Sequence, residues 1–142
     1  MGREAEFMPD KIYLDTYVFM DVLSGKEDFA SSASAYLNLA EEKIVSVILL
    51  SELSHHLSRR RAVVEDIIYV LEAVPNFHVV ELTEEIAILA GKLRAKYHGR
   101  LEKHLTYFDA IHLATAISLQ CTKFVTGDKA FKDIEEIKVE VY

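Results

Sequence analysis

The stretch Lys11-Ile12-Tyr13-Leu14-Asp15-Thr16-Tyr17-Val18-Phe19-Met20-Asp21-Val22-Leu23 decides how the rest of the chain is read. Ile12, Tyr13 and Leu14 make a short apolar run that suits a strand over Lys11–Asp15, and Asp15 closes it. Thr16 to Leu23 suits a helix that Ser24-Gly25 ends. The same alternation then repeats. A second helix is expected from Phe29 to Glu42, followed by a β-rich segment, Lys43–Val47. Leu49, Leu50, Leu53 and Leu57 recur at helical spacing, and a further helix covers Val63–Ala73 before the turn signal Pro75-Asn76. His78–Leu82 reads as a strand. Thr83 caps a helix that continues to Tyr97, although Ile86 cannot complete a capping box, and Gly99 breaks it. Thr106 to Leu119 is the last long helix. Lys123–Thr126 and Lys138–Val141 are the last strands, with a helical turn near Phe131 between them. Strands that alternate with helices throughout predict an α/β fold with a mainly parallel central sheet and helices on both faces. In open sheets of this type, sites gather beyond the carboxyl ends of the strands.

The 142 residues fit a single domain, expected over residues 10–142, with 1–9 as an N-terminal extension. Met8 offers an alternative native start, which would leave Gly2 to Phe7 as an appended segment. The lone Cys121 excludes an intramolecular disulfide and suits a reducing compartment. Early residues lack the pattern of a secretory signal, and the apolar runs are too short to cross a bilayer. A cytoplasmic protein with no membrane association is expected. The formal charge of −7 argues against a general nucleic-acid binder, which carries a net basic face. It leaves room for a nuclease whose acids crowd around metal ions.

Four acids occupy informative places. Asp15 ends the first strand, and Asp128 lies just beyond Lys123–Thr126, so both fall on one rim of a parallel sheet. Glu52 and Asp109 are embedded in otherwise apolar helices, where an acid must be paired, bind a metal or become neutral. If the four converge, each close pair repels by about 4 kcal/mol at 4 Å with an effective dielectric near 20. Divalent cations would relieve that repulsion. Mg²⁺ or Mn²⁺, hard ions that prefer oxygen ligands, match such a cluster, and they serve to activate water and stabilise charge in an in-line attack on phosphate.

Four segments spread over nearly the whole chain resemble the PIN-domain ribonucleases. Leu14 to Leu23 is similar to the family's opening motif, and Ser51-Glu52-Leu53 to its Glu-bearing helix. Phe108-Asp109-Ala110-Ile111-His112-Leu113-Ala114 resembles its Asp-bearing helix, and Val125-Thr126-Gly127-Asp128-Lys129-Ala130-Phe131 its closing Thr-x-Asp-x-x-Phe motif. The resemblance implies a single PIN-like domain. It makes Asp15, Glu52, Asp109 and Asp128 the metal-binding, catalytic acids, and Thr126 the hydroxyl that orients a carboxylate or water. The cofactor would be Mg²⁺ or Mn²⁺. The reaction would be cleavage of RNA that leaves a 5′-phosphate and a 3′-hydroxyl. The small stand-alone size is similar to VapC toxins, which implies an antitoxin partner and a homodimer or higher homo-oligomer. Tyr17 departs from the Asn or Ser common at its place in the family.

Simpler roles stand beside these. Asp15 and Asp128 could cap turns, Glu52 could pair with His56 or Arg59 on its own helix, and Asp21 reads as a solvated acid. Glu52 with His55, and Asp109 with His112, form two acid-x-x-His pairs of the kind found in di-iron bundles. Those need four long facing helices, against which the β-rich segments speak. His112 reads as a hydrogen-bonded core or near-site histidine. Arg59-Arg60-Arg61 and the run Lys92, Arg94, Lys96, Arg100, Lys103 could guide RNA phosphates or simply be solvated faces. The alternative in another class is a non-catalytic PIN-like RNA-binding or scaffold module.

Overall fold

The computed structural model of the chain describes residues 10–24, 27–60 and 66–142. The expected N-terminal extension and the start of the helix read at Val63 therefore lie outside the described residues. Among the described residues, five strands form one sheet: β1 (Lys11–Leu14), β2 (Glu42–Ser46), β3 (Phe77–Val80), β4 (Lys123–Thr126) and β5 (Lys138–Val141). Every neighbouring pair is parallel, in the order β3-β2-β1-β4-β5. Between them, among the described residues, run α1 (Thr16–Ser24), α2 (Glu27–Leu37), α3 (Ile48–Arg59), α4 (Asp66–Glu72), α5 (Glu84–Tyr97) and α6 (Tyr107–Ser118), with a 3₁₀ turn at Lys129–Phe131.

Side-chain alternation along the strands feeds two separate cores. Tyr13, Ile44 and Phe124 face a cluster with Ile86, Leu93 and Tyr97 of α5 and Leu113 of α6. Ile12, Leu14, Val45 and Val125 face the opposite cluster with Val18, Ala33, Leu53 and Ile67, so α1 to α4 cover that side. A sheet buried on both faces explains why the strands read as apolar runs rather than as alternating sequence. Helices do cover both faces, and the five-stranded sheet excludes the four-helix di-iron architecture.

The second helix differs from the sequence reading. It ends at Leu37, not Glu42, because Glu42 opens β2 and pairs with Lys11. Ladder hydrogen bonds there outweigh the helix propensity of Leu39-Ala40-Glu41-Glu42. The freed carbonyls are held: Lys43 Nζ donates to the Leu39 and Glu41 carbonyls, and the Asn76 side chain donates to that of Ala40 at 2.9 Å.

The chain leaves β1 for β2 on one side and returns by β4 on the other. Beyond the carboxyl ends of β1 and β4, successive segments turn to opposite faces: Val18 and Phe19 into one core, Phe131 into the other. That divergence makes the topological switch point at which doubly wound sheets bind ligands.

Candidate active site

Asp15 stands at this switch point. Its backbone N–H extends the sheet by bonding to the Val125 carbonyl at 2.9 Å, while its side chain is 3% exposed. Burial, the largest influence, pushes its carboxyl up from 3.8 to about 6; His112 and Thr126 act against this, and the charges of Asp109 and Glu52 add to it. Thr126, itself buried at the end of β4, donates its hydroxyl to Asp15 Oδ2 at 2.7 Å and accepts the Asp128 N–H at 3.0 Å. One hydroxyl thus joins the two strand-end acids.

Asp128 Oδ1 accepts the Ala130 N–H at 3.0 Å, which opens the 3₁₀ turn, and Oδ2 accepts from the Lys103 ammonium. Turn capping is therefore a real part of its role. Asp109 has a local role too. Its N–H bonds to Thr106 Oγ1 at 3.1 Å, and its Oδ2 accepts the Thr106 N–H at 3.2 Å, a complete capping box at the start of α6. Thr83 caps α5 without a box, as Ile86 dictates.

Glu52 does not pair with His56 or Arg59. Its Oε1 takes the Thr16 hydroxyl at 2.7 Å and His112 Nε2 at 2.6 Å. Tyr13 OH lies 2.5 Å from His112 Nδ1 and accepts the Ser46 N–H at 2.9 Å. In the neutral form, a chain with every donor used follows from the Nε2–H tautomer: Ser46 N–H to Tyr13 oxygen, Tyr13 O–H to Nδ1, Nε2–H to Glu52. Burial disfavours a charged imidazole at His112, which is 1% exposed, yet the Glu52 bond and the Asp15, Glu52 and Asp109 charges prevail and hold it above the ordinary value.

Asp109 and Glu52 thus act on Asp15 through their charges, and Asp128 is joined to it through the Thr126 hydroxyl. They are not closed into a cage: among the described residues, no three Asp, Glu, His or Cys side chains stand within reach of one ion. The donor chemistry still suits a hard divalent cation, since the acids offer carboxylate oxygens and Asp15, pushed up chiefly by burial, is further loaded by the Asp109 and Glu52 charges. An open cleft of about 410 Å³, lined by Met20, Ser51, His55, His56 and Phe108, leads to Glu52.

Asp21 is not a freely solvated acid. It is half-buried and accepts the Tyr142 hydroxyl. The pair leaves no room at the neighbouring strand end: a Cβ on Gly127 would lie 2.9 Å from Asp21 Oδ2 and 3.0 Å from Tyr142 OH. Gly127→Ala is expected to break that hydrogen bond and cost about 1–2 kcal/mol in urea unfolding. Thr16 and Tyr13 were missed in the sequence. A hydroxyl beside a strand-end acid was the available signal for Thr16; nothing marked Tyr13, because its hydroxyl finds its partners only through folding.

The chain matches the family model described as PIN domain over residues 12–137. No curated protein matches it in sequence. Among solved structures, a toxin–antitoxin complex from Klebsiella pneumoniae superposes with a TM-score of 0.66 at 23% identity, covering 89% of this chain and 94% of that one. The sarcin-ricin-loop-cleaving toxin VapC20 from Mycobacterium tuberculosis gives 0.69 at 15% identity, with 89% and 98% covered. VapBC2 from Rickettsia felis, bound to a promoter DNA fragment, gives 0.69 at 15%, with 92% and 97% covered. At such identities the neighbours speak to the fold. The family match spans nearly the whole length from β1 to the start of β5, and with the all-parallel sheet it makes this chain a member of the PIN domain family.

Proposed function

We propose that the chain is a metal-dependent ribonuclease that hydrolyses RNA phosphodiesters, and that it serves as the toxin of a VapBC-type toxin–antitoxin pair. The observation that carries the reading is Asp15: a nearly sealed carboxyl at the switch point, pushed up to about 6, with Asp109 and Glu52 adding to its load. A buried carboxyl with a perturbed titration, placed at a switch point beside other acids, is the mark of a candidate functional site. Asp15, Glu52, Asp109 and Asp128 would hold Mg²⁺ or Mn²⁺. Such an ion, when bound, supplies Lewis acidity toward phosphate and lowers the pKa of water. Thr126 would orient Asp15, and the Thr16–His112 pair would orient Glu52.

The toxin assignment draws on the toxin–antitoxin structures that share the fold, and on an apolar groove of about 270 Å³ lined by Phe19, Val22, Leu23, Leu37, Leu57 and Val70 among others. An antitoxin segment or a second copy of the chain would fill such a groove. Cytoplasmic localisation follows from that function; no helix among the described residues is long and apolar enough to cross a membrane.

Labelled RNA tests the enzyme reading. Cleavage should require Mg²⁺ or Mn²⁺, stop in EDTA, leave a 5′-phosphate, and fall more than about 100-fold in Asp109→Asn. Products ending in 2′,3′-cyclic phosphate would refute hydrolysis. No cutting of any RNA together with no metal binding would favour the scaffold module.

A further inference from the structure

The basic run of α5 and its following loop divides its charges unevenly. Lys96 is committed to Glu135 and Glu136, and Lys103 to Asp128. Arg94 makes no ion pair among the described residues. Its Nε donates to the Leu105 carbonyl at 2.8 Å, which fixes the guanidinium, and the guanidinium carbon lies 3.8 Å from the centroid of the Tyr107 ring. Tyr107 nevertheless remains 65% exposed at the start of the Asp-bearing helix. The two form one wall of an open cleft of about 430 Å³, completed by Gly91, His98 and His104, whose imidazole rings stand 5.4 Å apart.

The cleft adjoins the acids through the chain itself. His104 lines it, Lys103 next in sequence reaches Asp128, and Tyr107 lies two residues before Asp109. The cleft therefore lies beside the start of the Asp-bearing helix. Its components suit a nucleobase in single-stranded form: an aromatic face, a planar cation held over a ring, and imidazole donors for base edges. Duplex RNA presents no free base face for such a wall.

We propose that this cleft binds an unpaired nucleobase of single-stranded RNA, stacked on the face of Tyr107 that Arg94 leaves open, and so positions the strand for cutting. The inference rests on the ribonuclease reading for its purpose but not for its test. Binding is measured by fluorescence anisotropy with a short labelled oligouridylate in EDTA, where nothing is cut, and with the same strand annealed to oligoadenylate. Tyr107→Ala should weaken single-strand binding about tenfold, Tyr107→Phe should stay within about twofold of wild type, and the duplex should bind less well than the single strand. Equal affinity of wild type and Tyr107→Ala overturns the proposal, as does wild-type protein that binds no oligouridylate. If metal-dependent cleavage survives beside that result, only the cleft is wrong. If Tyr107-dependent binding appears without any metal-dependent cleavage, the ribonuclease reading fails and the cleft stands.

Discussion

Asp15→Asn should abolish RNA cleavage, by more than about 100-fold, and at the same time make the metal-free protein more stable at neutral pH. The second half follows from the sign of the shift. The Asp15 carboxyl titrates at about 6 in the folded protein against 3.8 ordinarily, so the folded state holds its proton more tightly than the unfolded chain does. Its contribution is fully present below about pH 4 and is lost as pH rises through 6. The loss amounts to roughly 3 kcal/mol. Asparagine mimics the protonated carboxyl and can still accept the Thr126 hydroxyl, so it escapes that loss. In EDTA the two proteins should melt alike near pH 4, with the variant pulling ahead by several degrees near pH 7. Mn²⁺ should raise the melting temperature of wild type at pH 7 and leave the variant unmoved. A variant less stable than wild type at pH 7 would mean that Asp15 is a structural partner of His112 and Thr126 rather than a carboxyl kept charged for a cation.

The legible part of this molecule lies where one local pattern had one outcome. Ile12 to Leu14, Lys123 to Thr126 and Lys138 to Val141 were apolar or β-rich runs too short for helices, and each is a strand. Their acids were readable for the same reason, since a carboxylate directly after a buried strand of a parallel sheet falls on its carboxyl edge. What was not legible depends on partners distant in sequence. Glu42 could continue a helix or begin a strand, and only Lys11 across the sheet decides. Glu52 had two plausible partners on its own helix, yet it bonds to His112, 60 positions away. Asp109 shows a third limit. Its apolar neighbours pointed to a charged site, but they did not reveal that the same carboxylate also completes a capping box with Thr106. One residue can serve the helix and the site together, and sequence pattern cannot divide the two roles.

His112 is where stability and function meet, and His112→Ala is expected to be the most damaging single substitution near the site. The imidazole is 1% exposed and links α6 to β1 through Tyr13, to α1 through Thr16 and to α3 through Glu52, so it ties together elements from both faces of the sheet. Truncation leaves the fully buried Tyr13 hydroxyl without its acceptor, leaves Glu52 with Thr16 alone and opens a cavity. The expected cost is about 3–5 kcal/mol in urea unfolding. Because Tyr13 and His112 lose the same bond, Tyr13→Phe in the His112→Ala background should cost less than in wild type, with a coupling of about 1–2 kcal/mol. Additive costs would show that the hydroxyl–imidazole contact contributes nothing of its own. His112→Gln offers a milder test of positioning, since an amide can still donate to Glu52 from nearly the same place. It should fold and lose about 10–100-fold in cleavage, the scale of a group that holds a metal-binding acid rather than touching the reacting atoms. Full activity in that variant would mean that any donor at this place suffices to aim Glu52 and that the imidazole itself is dispensable.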